Sequence, residues 1–138
     1  MTIEEVFDIA RRKRFLVVST VNETGAPEAA LMGFAVTQSN EVVFDTLASS
    51  RKAVNLARNP KAALVIGWDD SVSLQIEGPA RRPVGDDLAN AKAAYFDKWP
   101  DGRAREAWPD IAYVVVKPKW IRYSNYAAGP PVIEEFRL

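Results

Sequence analysis

The chain predicts a mainly β fold with short helices added, a closed or split antiparallel barrel in a single domain of 138 residues. Three observations carry that expectation. Strand-like runs are joined by tight turns at 22–25 and 38–40, connections that antiparallel neighbours accept and parallel ones do not. Helical patterns are short and inserted at a few points instead of alternating strictly with strands. The run 61–68 is apolar on both faces, so it needs cover on both sides.

Thr2 followed by Glu5 is a capping-box pattern, and Val6, Ile9 and Ala10 share one apolar face, which predicts a helix over Ile3–Arg12. Arg11, Arg12 and Lys13 suit its negative C-terminal end. The Val-, Leu- and Thr-rich run Phe15–Val21 is a buried strand, and Gly25 closes its turn. Strands follow over 29–37 and 41–46. A short helix over 50–58, with Ala53, Leu56 and Ala57 toward the core, stops at Asn59-Pro60, because the residue before proline avoids helical angles. After 61–68 and the Asp69-Asp70 turn, Val72, Leu74 and Ile76 alternate with polar residues in a half-buried strand that bends at Gly78-Pro79. Leu88, Ala91, Ala94 and Tyr95 mark a helix over Gly85–Lys98. A further helical turn is expected over 103–107 and a long last strand over 111–123, giving six strands. The tail 124–138 contains Gly129-Pro130-Pro131 and is expected as an irregular arm.

Composition narrows the chemistry. With 18 Lys and Arg against 18 Asp and Glu, formal net charge is zero, so no whole-molecule field favours nucleic acid or an anionic membrane. No apolar run approaches the roughly 18–20 residues of a membrane span, and the first residues lack a secretory-signal pattern, so a cytoplasmic location is the default expectation. The chain has no Cys and no His. Thiolate or imidazole metal sites, a Ser-His-Asp triad and an imidazole acid–base group are thereby excluded. Any demanding redox chemistry falls to a bound cofactor.

The segment 44–68 is the most informative. Ser50 caps a helix whose first turn carries Arg51 and Lys52. Cations sit poorly at the positive end of a helix dipole, unless an anion such as phosphate is held against the free N–H groups. Taken alone, the pair reads more simply as solvated helix residues. Asp69-Asp70 reads as turn chemistry, and no metal site is expected. The four tryptophans are first of all core or interface mass.

In order, Gly25-Ala26-Pro27, Val43-Phe44-Asp45-Thr46, Ser50-Arg51-Lys52-Ala53, Asn59-Pro60, the strand 62–68 and Glu77-Gly78 resemble the FMN-binding split-barrel family typified by pyridoxamine 5'-phosphate oxidase. The resemblance covers about 15–123 and points to a general-stress-protein-like member. It implies a six-stranded, Greek-key split barrel that binds FMN as a homodimer, with flavin sites at the interface. Arg51 and Lys52 match the phosphate-gripping positions, with Ser50 beside them. Asp45 and Thr46 match positions that contact the cofactor largely through backbone. Ser73 falls where the family uses glutamine on the flavin, and Leu31 and Met32 lie on the strand expected along the ring. Set in this series, the phosphate role of Arg51 and Lys52 is preferred.

The departures concern the vitamer half of the site. The oxidases place arginine and lysine where this chain has Ala30 and Ala35, and an Arg-x-His motif has no counterpart without histidine. On the late helix Tyr95 is kept, and Trp99 stands where an arginine is expected. Tyr95, Trp99 and Trp108 are the substrate-facing candidates; no catalytic residue is assigned. The expectation is an FMN flavoprotein, an oxidoreductase acting on a small molecule and not a pyridoxamine phosphate oxidase. A non-catalytic flavin or deazaflavin-coenzyme module is the alternative. A single-strand nucleic-acid barrel using Arg58, Lys61, Arg81 and Arg82 is weaker, for want of net charge and interleaved aromatics.

Overall fold

The computed structural model describes residues 1–127 and 129–138. Its elements are α1 (Ile3–Arg12), β1 (Phe15–Val21), β2 (Pro27–Gly33), β3 (Ala35–Val36), β4 (Val42–Leu47), α2 (Arg51–Arg58), β5 (Lys61–Ile66), β6 (Val72–Arg81), α3 (Gly85–Lys98), α4 (Gly102–Arg105), β7 (Ile111–Val116), β8 (Trp120–Asn125) and β9 (Val132–Arg137). The capping box at Thr2 is formed in both directions, and Ser50 caps α2 through the Ala53 N–H. In α2 the buried positions are Ala53, Asn55 and Leu56; Ala57, expected toward the core, is exposed.

All strand pairs are antiparallel. One sheet runs β2-β1-β5-β6-β8-β9 and the other β6-β7-β4-β3, so β6 serves both. Val72–Glu77 of β6 lie against β8, whereas Ala80 and Arg81 turn to β7. The bend falls at Gly78-Pro79, where the Lys117 and Lys119 N–H groups donate to the Pro79 and Glu77 carbonyls. β6 is thus the strand that joins the two sheets.

Nine strands replace the expected six among the described residues, for three physical reasons. The run 29–37 breaks at Phe34, where the chain leaves β1 as partner and takes β4; the Phe34 carbonyl accepts the Trp99 indole N–H at 2.9 Å. The run 111–123 breaks over Gly78, and Pro118 has no N–H for a ladder. The tail is corrected too. Ala128 lies outside the described residues, but Val132–Arg137 pairs along the whole of β8. Its Glu134-Glu135 and mostly exposed side chains gave no period-two signal, as suits an edge strand.

The main core lies inside the barrel, where Phe7 and Ala10 of α1 close over Leu16, Leu64, Ile76 and Val116. A second cluster, Val43, Tyr113 and Val115 with Ala91, Tyr95 and Phe96, packs α3 on the outside of β4 and β7. Strand alternation therefore divides β4. Val42 and Phe44 point into the barrel, and Val43 and Asp45 point to α3. No helix among the described residues is long and apolar enough to cross a membrane.

Candidate functional site

The turn from β4 into α2 and the start of edge strand β2 enclose a pocket of about 210 Å³, lined by Val18, Thr20, Glu28, Ala29, Ala30, Arg51 and Lys52. Because Thr46 faces away from Asp45, its hydroxyl meets the helix start. It donates to Ser50 Oγ at 3.0 Å and accepts from Lys52 Nζ at 3.3 Å. Ser50 Oγ also accepts the Ala53 N–H at 3.3 Å. Lys52 has no carboxylate within ion-pair distance among the described residues, and burial pulls its pKa below the usual lysine value. A partly desolvated, unpaired ammonium beside hydroxyls and helix N–H donors is a receptor for an anion.

Arg51 is differently placed. Its side chain is 76% exposed, and Nη2 lies 2.6 Å from Glu28 Oε2. Glu28 also accepts from Asn55 Nδ2 at 2.8 Å and Asn22 Nδ2 at 3.1 Å, and Asn55 Nδ2 reaches Thr20 Oγ1 at 3.0 Å. The Arg51 hydrogen bond, followed by those from Asn55 and Asn22, lowers the Glu28 pKa to about 2. Arg51 and Lys52 against Glu28 leave the pocket one positive charge, with the guanidinium held against the Glu28 carboxylate.

Sequence reasoning missed Glu28, Asn22 and Asn55; the available signal was an asparagine on the apolar face of α2. It also missed Asp110, which follows Trp108-Pro109 just before β7. Its Oδ2 accepts the Ser49 N–H at 3.2 Å and the Ser49 hydroxyl, and its carbonyl accepts the Ala48 N–H at 2.7 Å. These bonds pin the loop that presents Ser50.

Because the Glu28 pKa is depressed on folding, its stabilisation is complete above the unfolded carboxylate value of 4.5 and is lost as pH falls toward about 2. Wild-type protein should therefore lose urea resistance between about pH 5 and about pH 3, and Glu28→Gln should lose less over that interval. An unchanged pH dependence in the variant would remove Glu28 from this role.

The structure brings Thr46, Ser50, Arg51 and Lys52 together and separates the other expected residues from them. Asp45 is buried on the α3 side, accepting from the Tyr95 hydroxyl and Arg105 Nε, each at 2.9 Å. Only its backbone is left for a ligand beside Thr46. Tyr95, expected to face substrate, is 3% exposed and belongs to the second core; burial first, then the Asp45 charge, raises its pKa. Leu31 is 62% exposed on the outer face of the large sheet, whereas Met32 packs against the main core. Ser73, on β6, pairs with Ser124 of β8 and lies three strands from β2 in the sheet order. Trp99 covers Gly33, where a Cβ would stand 3.0 Å from its ring, and Trp108 is half exposed outside the pocket. Asp69 and Asp70 hold Lys13 at 3.4 and 2.6 Å.

Comparison with known proteins gives consistent results. The family model described as pyridoxamine 5'-phosphate oxidase matches residues 2–125. A pyridoxine/pyridoxamine 5'-phosphate oxidase of Streptomyces avermitilis is 34% identical over 102 residues, 73% of this chain and 44% of the relative. One of Burkholderia vietnamiensis is 32% identical over 134 residues, 89% of this chain and 61% of the relative. The chain spans about half the length of the curated relatives it matches. Among solved structures, a heme binding protein from Mycobacterium smegmatis superposes with a TM-score of 0.85 at 22% identity, covering 97% of this chain and 57% of that one. A pyridoxamine 5'-phosphate oxidase-related, FMN binding protein from Nostoc punctiforme has a TM-score of 0.73 at 14% identity, covering 99% and 95%. General stress protein 26 from Bacillus anthracis has a TM-score of 0.74 at 23% identity, covering 98% and 97%. At these identities the structures speak to the fold, which is the split barrel.

Proposed function

The chain belongs to the pyridoxamine 5'-phosphate oxidase family, and from that premise we propose that it is an FMN-binding flavoprotein, a homodimeric oxidoreductase acting on a small molecule. The observation that carries this reading is Lys52, a partly buried ammonium with no ion pair among the described residues, held at a helix N-terminus by Thr46, whose hydroxyl bonds the capping Ser50. A phosphate dianion matches that donor set, with Arg51 adding a planar fork from the rim. Bound there, the flavin supplies electron or hydride exchange that a chain without Cys or His does not supply itself. The edge of β2 supports the reading. Among the described residues its outward backbone N–H and C=O groups have no strand partner, so the stretch through Leu31 and Met32 offers hydrogen bonds to the polar rim of a planar ring.

The homodimer has its own support. In β5 the apolar pattern on both faces leaves Ala63 and Val65 exposed, and Val65 and Leu31 both align with Val17 across the outer face of the large sheet. A second copy would cover this row. Ala30 and Ala35, where the oxidases are expected to carry arginine and lysine, favour a reaction other than vitamer oxidation.

The test is a titration of purified protein with FMN and with riboflavin, followed by sedimentation of the complex. FMN is expected to bind at least about a hundredfold more tightly, the effect of charge-assisted bonds to one phosphate. Equal affinities would end the phosphate assignment, and an FMN-loaded monomer would end the interface site. A Soret-type spectrum after haem addition, with no flavin uptake, would favour the haem chemistry named for the Mycobacterium smegmatis protein.

A further inference from the structure

At the Gly33 end of β2, two cations stand without an acidic partner. Arg14 lays its guanidinium 4.3 Å from the centre of the Trp99 ring. Lys98 ends α3, places its ammonium 4.1 Å from the centre of the Phe34 ring and donates to the Lys13 carbonyl. Among the described residues neither makes an ion pair, nor does Arg12 on the wall of the neighbouring cleft, whereas Arg11 and Lys13 do. Burial, with the charge of Arg14 adding to it, holds the Lys98 pKa down to about 8. Crowding two like charges in partly desolvated surroundings is unfavourable until an anion joins them.

Arg14 lines a cleft of about 340 Å³ between residues 12–15 and 67–69; Lys98 is not on its wall but lies close enough to feel the charge of Arg14. Phe15, 43% exposed, and Trp68, 53% exposed, line it, and Trp99 adjoins it with its ring 5.8 Å from that of Phe15. Asp69 at the rim is drawn to Lys13, as is Asp70 beside it. Exposed rings next to cations favour a flat ligand carrying negative charge, because stacking and charge pairing act together.

We propose that Arg14 and Lys98 bind the anionic group of a small planar aromatic ligand, a carboxylate or phosphate, whose ring lies against Phe15 and Trp68. The site uses different side chains from the Ser50–Lys52 turn and sits at the other end of β2. From Glu28 to Gly33 the strand covers about 17 Å. The binding claim stands apart from the flavin reading; only the role of this ligand as reaction partner rests on it.

Calorimetric titrations of 5'-AMP against adenosine, and of nicotinate against nicotinamide, with and without saturating FMN, test the site. Each anion is expected to bind about tenfold or more tightly than its neutral counterpart. Arg14→Gln, an exposed change that leaves the fold intact, should erase most of that preference, and Arg14→Gln with Lys98→Gln all of it, with FMN affinity unchanged. Equal binding of anion and neutral probe, or a preference that survives the double variant, overturns the proposal. So does a preference that disappears in Arg51→Ala/Lys52→Ala protein. An Arg14-dependent preference in protein that takes up no FMN supports the site and removes the flavin reading instead.

Discussion

Replacing Arg51 and Lys52 together by alanine should weaken FMN binding by about two to four orders of magnitude and leave riboflavin affinity within about threefold of wild type. Hydrogen bonds to charged groups contribute about 1.5–3 kcal/mol each, so two of them give roughly 3–6 kcal/mol, at about 1.4 kcal/mol per decade. Lys52 should carry the larger share, because it is partly buried and unpaired. Arg51 is mostly exposed and already engaged with Glu28, so its contribution is screened and partly exchanged. The fold should persist in the double variant. Glu28 keeps Asn55 and Asn22 as partners, and removing Lys52 relieves a desolvated charge. Flavin fluorescence titrations measure both affinities. FMN and riboflavin weakened to the same degree would show that these side chains shape the pocket without gripping a phosphate.

Gly78→Ala should lower stability by about 3 kcal/mol, through overpacking against backbone that has no rotamer to yield. A Cβ at Gly78 would be driven into the Lys117 carbonyl oxygen, with the Lys117 carbonyl carbon at 2.8 Å and Pro118 Cα at 3.2 Å. The Lys117 and Lys119 N–H bonds to Pro79 and Glu77 clamp the crossing on both sides, so the strands cannot part without losing ladder bonds. For a chain of this length the loss corresponds to about a 10 °C fall in melting temperature. A melting temperature within about 2 °C of wild type would mean that the β6 crossing is looser than described.

Where the physics is short-range, the residues were sufficient. The bounds of α1 follow from Thr2 and Glu5 bonding each other across three residues, and the start of α2 from Ser50 capping Ala53 in the same way. The Ser50–Lys52 turn was legible for that reason. Beside it, the Thr46 to Ser50 and Lys52 contacts span only four to six residues. The remainder of the pocket joins distant segments. Glu28 meets Asn55 across 27 residues, Ser49 meets Asp110 across 61, and Tyr95 draws Asp45 away across 50. No local periodicity encodes those pairings.

The residues alone were enough for the antiparallel hairpins, the bounds of α1 and α3, the choice of residue types without imidazole or thiol, and the cationic turn at the start of α2. Each rests on hydrogen bonds between near neighbours or on residue types alone. Long-range packing set where Phe34 passes the chain from one sheet to the other, how Lys117 crosses Gly78, and which helix the Asp45 side chain meets. It also decided that Lys52 stays unpaired while Glu28 takes Arg51. Those outcomes depend on which distant surfaces pack, and burial and charge pairing select among them only once the barrel has closed.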